Sequence, residues 1–138
     1  SNFESVGRSG WISYGRVRQF ANENINKFGV KGRARQHASE MSGGNQQKVV
    51  IAKWLARSPR VVLLDEPTRG IDVGARSSIY DTIHGLAAQG VAVIVVSSDL
   101  EEVLGVSNRI LVMAAGRLTG ILDHDEANDV SVMELATA

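Results

Sequence analysis

Between Trp11 and Phe28 the apolar residues Val17, Phe20, Ala21, Ile25 and Phe28 recur every three or four positions. That is the period of a helix with one apolar face, and Gly29 is well placed to end it. A second helical pattern runs from Gln46 to Arg57, where Val50 and Trp54, and Ile51 and Leu55, stand four apart. Ser42 or Asn45 can cap its start and Ser58-Pro59 stops it. Val61 to Leu64 is a short unbroken apolar run, as expected of a parallel strand covered on both faces. Ile79, Ile83, Leu86 and Ala87 then line one face of a helix predicted over 75–89, with Gly90 as its stop. Val91 to Val96 predicts a second buried strand, and Asp99 to Leu104 a short helix with acidic residues in its first turn, where the helix dipole favours them. Ile110–Met113 and Leu118–Leu122 flank Ala-Ala-Gly-Arg and predict a hairpin. Residues from about Val130 predict a last short helix. Residues 1–10 read as a loop and residues 29–40 as a polar, basic connector.

The predicted order is αα-β-α-β-α-ββ-α. Strands separated by helices argue for an α/β fold with a mostly parallel sheet. The length, 138 residues, suits one domain, and 43% hydrophobic with 22% charged residues is the balance of an ordinary globular chain. Fifteen basic and 15 acidic residues cancel, which argues against bulk electrostatic binding to nucleic acid. There is no cysteine, which excludes a disulfide framework and thiolate metal sites, and the three histidines are scattered. No apolar run approaches the ~20 residues of a membrane-spanning helix.

Two stretches carry candidate chemistry. Ser42-Gly43-Gly44-Asn45 is a Gly-rich turn entering a helix, where unpaired N–H groups can meet a phosphate. Taken alone it also fits a plain helix entry. Asp65-Glu66 ends an apolar strand, at the sheet edge where α/β proteins bind ligands. Neighbouring carboxylates on an extended chain point apart and can serve a metal and a water separately. Taken alone they also fit a capping pair.

Together, in this order and separated by one helix, they resemble the nucleotide-binding subunits of ABC transporters. Met41-Ser-Gly-Gly-Asn-Gln-Gln resembles that family's signature motif, Val61-Val-Leu-Leu-Asp-Glu-Pro its Walker B motif with the following glutamate, and Gly70-Ile-Asp its D-loop. Val96-Ser-Ser-Asp-Leu-Glu-Glu-Val sits where the family has its switch loop, and the stretch from Asn108 to Arg117 resembles the hairpin that follows. Asn45 in place of glutamine, Arg69-Gly70 and the Ser97-Ser98 pair narrow the likeness to the second ATPase half of bacterial ribose-, galactose- and xylose-type importers.

The resemblance implies an incomplete P-loop NTPase domain. Residues 1–57 would belong to the helical subdomain and residues 58–138 to the C-terminal part of the ATPase core. Ser42 and the amides of Gly43 and Gly44 would contact the γ-phosphate of an ATP held mainly by the opposite ATPase half, Asn45 and Gln46 would belong to the same nucleotide-binding turn, and Asp72, also nucleotide-binding, would couple the two sites. Asp65 would hold Mg²⁺ through water, and Glu66 would orient or deprotonate the attacking water. Ser98 stands where the family has histidine, which implies a slow or degenerate site at Glu66. None of the 14 glycines is followed by lysine, so no Gly-x-x-x-x-Gly-Lys phosphate loop occurs in these residues. The chain reads as the C-terminal part of a larger subunit at the cytoplasmic face of the bacterial inner membrane. Its partners would be the other ATPase half, transmembrane permease subunits and, indirectly, a periplasmic sugar-binding protein. Alone it would be inactive and prone to self-association. An ABC-type ATPase outside transport, and a degenerate half that serves only dimerisation, are the competing readings.

Overall fold

A computed structural model describes Gly7, Arg8 and residues 11–138. Gly7–Arg8 (β1) pairs antiparallel with Trp11–Ile12 (β2). This corrects the expectation of a loop at these two residues; the rest of the stretch 1–10 lies outside the described residues. Strand pairing is made by backbone groups, and two residues are too few to show a period-2 pattern. Ser13 caps the helix Tyr14–Lys27 (α1), its side chain accepting from the Arg16 N–H. Gly29 follows with φ +57, the left-handed stop expected of it.

The described chain divides into two compact units. The first takes residues up to Val62 together with Thr68–Ala92. Besides β1, β2 and α1 it holds the helices Gly43–Leu55 (α2) and Val73–Ala88 (α3). Helix α2 packs against both α1 and α3. Buried Ile51 and Leu55, with Ile79, Ile83 and Leu86 of α3, are positions the helical periodicity picks out; Ala52 is buried as well, while Ala87 stays exposed. Val50 and Trp54, by contrast, stay exposed, at 50% and 59%.

The second unit takes Leu63–Pro67 and Val93–Ala138. Helix Leu100–Val106 (α4) is capped by Asp99, which accepts from the Glu102 N–H at 3.3 Å. Strands Arg109–Ala114 (β5) and Arg117–Asp123 (β6) form an antiparallel hairpin. Helix Asp129–Ala136 (α5) closes the unit, started by a capping box between Asn128 and Ser131. Ile110, Val112 and Val132 form the core, with Leu100, Val103, Leu104, Leu122 and Leu135 packed around them.

Strands Val61–Asp65 (β3) and Ala92–Val96 (β4) pair in a two-stranded parallel sheet. The Ala92 N–H donates to the Arg60 carbonyl, and the Glu66 N–H to the Val96 carbonyl at 2.7 Å. Both strands run as the sequence predicts, but they are not covered on both faces. Val61 and Leu63 alternate with buried Val62 and half-buried Leu64, and Ile94 and Val96 are exposed in the same alternating way. A continuous apolar run conceals this alternation, because both faces read alike in the sequence.

The hairpin has a similar asymmetry. Leu111 faces Ile121 and Met113 faces Leu118 across the ladder, and all four are exposed. The register slips between Val112 and Met113, leaving Thr119 as the extra residue. Its hydroxyl donates to the Val112 carbonyl at 3.1 Å, so the bulge keeps that acceptor satisfied.

The hairpin turn is Ala115-Gly116, with φ +47 and +76. Two positive φ values in a two-residue loop are the type I′ turn that strand twist favours. Alanine is strained there by about 1–2 kcal/mol. Ala115→Gly or Ala115→Asn is expected to stabilise the chain by about 0.5–1 kcal/mol. At Gly120 a Cβ would stand 2.5 Å from Leu135 Cδ1, so Gly120→Ala is expected to destabilise by about 1–3 kcal/mol. Urea-denaturation midpoints measure both, and they should move in opposite directions.

Candidate functional site

In the first unit the site begins at the N-terminus of α2. Ser42 is the N-cap by position, with ψ 154, but its side chain makes no cap bond to the first turn. The N–H groups of Gly43, Gly44 and Asn45 therefore have no intrahelical acceptor, which concentrates partial positive charge at this end. Asn45, the alternative cap in the sequence reading, lies inside the helix. Its Nδ2 donates to Ser42 Oγ at 2.9 Å, and its Oδ1 accepts from the Lys31 N–H at 2.8 Å. Gln46 Nε2 donates to the Met41 carbonyl at 3.0 Å and ties the turn down from the other side.

The two glycines have different jobs. Gly43 is exposed and leaves the helix entrance open. Gly44 is buried, and a Cβ there would lie 2.8 Å from Ala75 Cβ and 3.7 Å from Ile71 Cγ2. Only a residue without a side chain lets α2 approach α3 so closely. Asp72 lies at the start of α3, where its Oδ1 accepts the Ala75 N–H at 2.9 Å. Asp72 thus caps α3. It also brings the start of α3 to Gly44, through Ala75.

The second unit carries the carboxylates. Asp65 ends β3 exposed, and its carboxylate has no hydrogen bond or ion pair among the described residues. Glu66 follows with φ +47, a left-handed conformation that costs a non-glycine residue about 1–2 kcal/mol. Two contacts hold it there. Its N–H donates to the Val96 carbonyl, and its Oε1 accepts the Ser98 N–H at 3.0 Å. The left-handed turn folds the side chain back toward the end of β4, while Asp65 continues the strand. Sequence reasoning placed Ser98 here for its side chain; its contribution to Glu66 is a backbone N–H, which any residue but proline supplies.

The described residues hold no group of three or more His, Cys, Asp or Glu able to cage a metal. A small hard cation such as Mg²⁺ does not need one, since it keeps several waters and takes one or two carboxylates plus substrate phosphates. A single exposed carboxylate with no competing partner, as Asp65 provides, fits that role. No helix among the described residues is long and apolar enough to cross a membrane.

A helix N-terminus with unpaired donors, a strand ending in two carboxylates and a parallel α/β framework agree with part of a P-loop NTPase fold, the fold of the solved ABC cassettes that this chain resembles. Residues 3–69 match the family model described as ABC transporter. The chain is 48% identical over 138 residues to the ribose import ATP-binding protein RbsA of Halalkalibacterium halodurans, covering 99% of this chain and 28% of that protein. It is 62% identical over 96 residues to the arabinose import ATP-binding protein AraG of Pseudomonas savastanoi pv. phaseolicola, covering 70% of this chain and 19% of that one. The dimeric structure of a bacterial ABC transporter cassette superposes with a TM-score of 0.70 at 28% identity, over 85% of this chain and 51% of that chain. The chain therefore carries an ABC transporter domain in residues 3–69 and is similar over most of its length to the ATP-binding proteins of ribose and arabinose import.

The close approach at Gly44 gives a direct test of this packing. Gly44→Ala is expected to lower stability by about 1–3 kcal/mol by forcing α2 from Ala75. Ala75→Gly in the same chain should recover part of the loss. Denaturation midpoints of the single and double variants check both effects.

Proposed function

We propose that this chain is part of an ATP-hydrolysing subunit that drives uptake of a sugar through an ABC importer. The observation that carries the reading is the similarity to ribose and arabinose import ATP-binding proteins, 48% over the whole chain in the first case. The chain spans only 28% and 19% of those relatives, so the activity belongs to the longer parent. Residues 1–57 act as helical subdomain and residues 58–138 as ATPase core. The parent works at the cytoplasmic face of the inner membrane, with permease subunits and, through them, a periplasmic sugar-binding protein. The dimeric state of the similar cassette supports a second ATPase half as partner.

Chemically, the free N–H groups of Gly43 and Gly44 and the Ser42 hydroxyl are donors suited to the γ-phosphate of a nucleotide bound chiefly by that second half. Asp65 holds Mg²⁺ through water; the ion supplies charge neutralisation on the phosphates. Glu66 uses the oxygen not engaged by Ser98 to orient the attacking water and take its proton, a contribution of about 10²–10⁴-fold. Asp72 fixes the start of α3, and through it the junction between the two halves.

Ser98 supports a second reading, in which the site at Glu66 is degenerate and this half serves mainly dimerisation. Its side chain is short and cannot carry a positive charge to a phosphate. Glu66→Gln in the full-length parent is expected to reduce ATPase activity much less than the matching change in the other half. Equal large losses would show that both sites turn over. These residues contain no phosphate loop, so calorimetry should detect no ATP binding by the isolated chain; micromolar binding would overturn that. The exposed Val61, Leu63, Ile94 and Val96 support self-association of the isolated chain, which light scattering measures; a strict monomer counts against it.

A further inference from the structure

The polarity of the Asn45 amide is set by the main chain. The Lys31 N–H meets one end of that amide at 2.8 Å. A backbone N–H can only donate, so the Asn45 oxygen must be the end that faces it. The amide nitrogen then faces Ser42, and it can only donate, which it does to Ser42 Oγ at 2.9 Å. A hydroxyl that accepts one bond still has its own hydrogen to give. Ser42 is exposed, and its hydroxyl has no other hydrogen bond among the described residues. Its hydrogen is free for an acceptor from outside.

We infer that Asn45 is a positioning residue, which makes the Ser42 hydroxyl a dedicated donor to a phosphate oxygen and does not itself touch the nucleotide. This rests on the reading that Ser42 faces a phosphate, and it revises the assignment of Asn45 as a nucleotide contact. The Asn45 oxygen is committed to the Lys31 N–H of the connector, and one N–H of its amide nitrogen to Ser42 within the turn. A phosphate oxygen only accepts, so the site needs donors at its surface. The relay from Lys31 through Asn45 leaves the hydroxyl oxygen occupied, so the hydroxyl is held in the orientation that gives its hydrogen outward.

Aspartate at this position keeps the shape and reverses the polarity. Its Oδ1 still accepts from the Lys31 N–H, but its other oxygen can only accept. The Ser42 hydroxyl then turns inward to donate to it. In the full-length parent, Ser42→Ala, Asn45→Asp and Asn45→Ala are each expected to lower ATPase kcat about ten- to hundredfold, the effect of one hydrogen bond to a charged group. The decisive comparison is a double-mutant cycle. In the Ser42→Ala background, Asn45→Ala should cost less than about twofold, because nothing remains for it to orient. An undiminished cost in that background would show that Asn45 acts on the nucleotide directly and would overturn the inference. Thermal denaturation of each variant separates lost folding from lost orientation.

If the parent hydrolyses no ATP, the functional reading fails and the relay is judged by NMR on the isotope-labelled parent. The Asn45 side-chain amide signals should shift in Ser42→Ala. Unmoved signals would mean that the relay does not exist.

Discussion

The absence of a side chain at Gly44 is the constraint on which the first unit depends. It lets the first turn of α2 approach Ala75 and Ile71, where any Cβ would collide at 2.8 Å. That approach brings together two helix starts, one led by Ser42 and the other by Asp72. The two starts use their caps differently. Asp72 spends an oxygen on its own helix, accepting the Ala75 N–H. Ser42 spends nothing on its helix and takes a bond from Asn45 instead, which leaves the first-turn amides of α2 unpaired. One end is closed by its cap and the other is left without one.

In the second unit the corresponding constraint is conformational. Glu66 is held left-handed by the Val96 carbonyl on one side and the Ser98 N–H on the other. The two contacts offset a strain of about 1–2 kcal/mol. Their result is that adjacent carboxylates diverge: Asp65 follows the strand, exposed, while Glu66 is drawn back to the loop after β4. The loop reaches Glu66 through its backbone, so the link survives whatever side chain stands at position 98, provided the N–H is kept.

Much of this was legible in the residues. The helical periods of Ile51 and Leu55, and of Ile79, Ile83 and Leu86, mark buried faces because burial selects apolar residues at the helical repeat. The hairpin was legible from Ala-Ala-Gly-Arg between two apolar runs. What escaped was whatever rests on backbone or on a side chain's second bond. The pairing of Gly7–Arg8 with Trp11–Ile12 leaves no mark in side-chain pattern. The open faces of β3 and β4 were hidden because Val61 and Leu63 are as apolar as Val62 and Leu64. Glu101 and Glu102 both read as first-turn acids at a helix start, yet Glu102 is fully buried with neither oxygen hydrogen-bonded among the described residues, and nothing in the structure explains it. The Lys31 N–H on Asn45 joins residues 14 apart through a connector that reads only as basic surface.

That last bond changes how the signature-like turn is understood. By residue type alone, Ser42 and Asn45 are interchangeable as caps and as ligands, since each can donate and accept. The structure breaks the symmetry with a single group that cannot change role, the Lys31 N–H. From there the next steps follow: oxygen to Lys31, nitrogen to Ser42, and the Ser42 hydrogen turned away from Asn45. The open amides of Gly43 and Gly44 are donors as well, so the whole helix start presents one polarity. Asp65 and Glu66 present the opposite polarity, which is what their proposed roles toward a cation and a water require. Donors and acceptors are thus sorted into different compact units of the chain, and under the proposed function each set would answer to a different part of the chemistry of phosphate transfer.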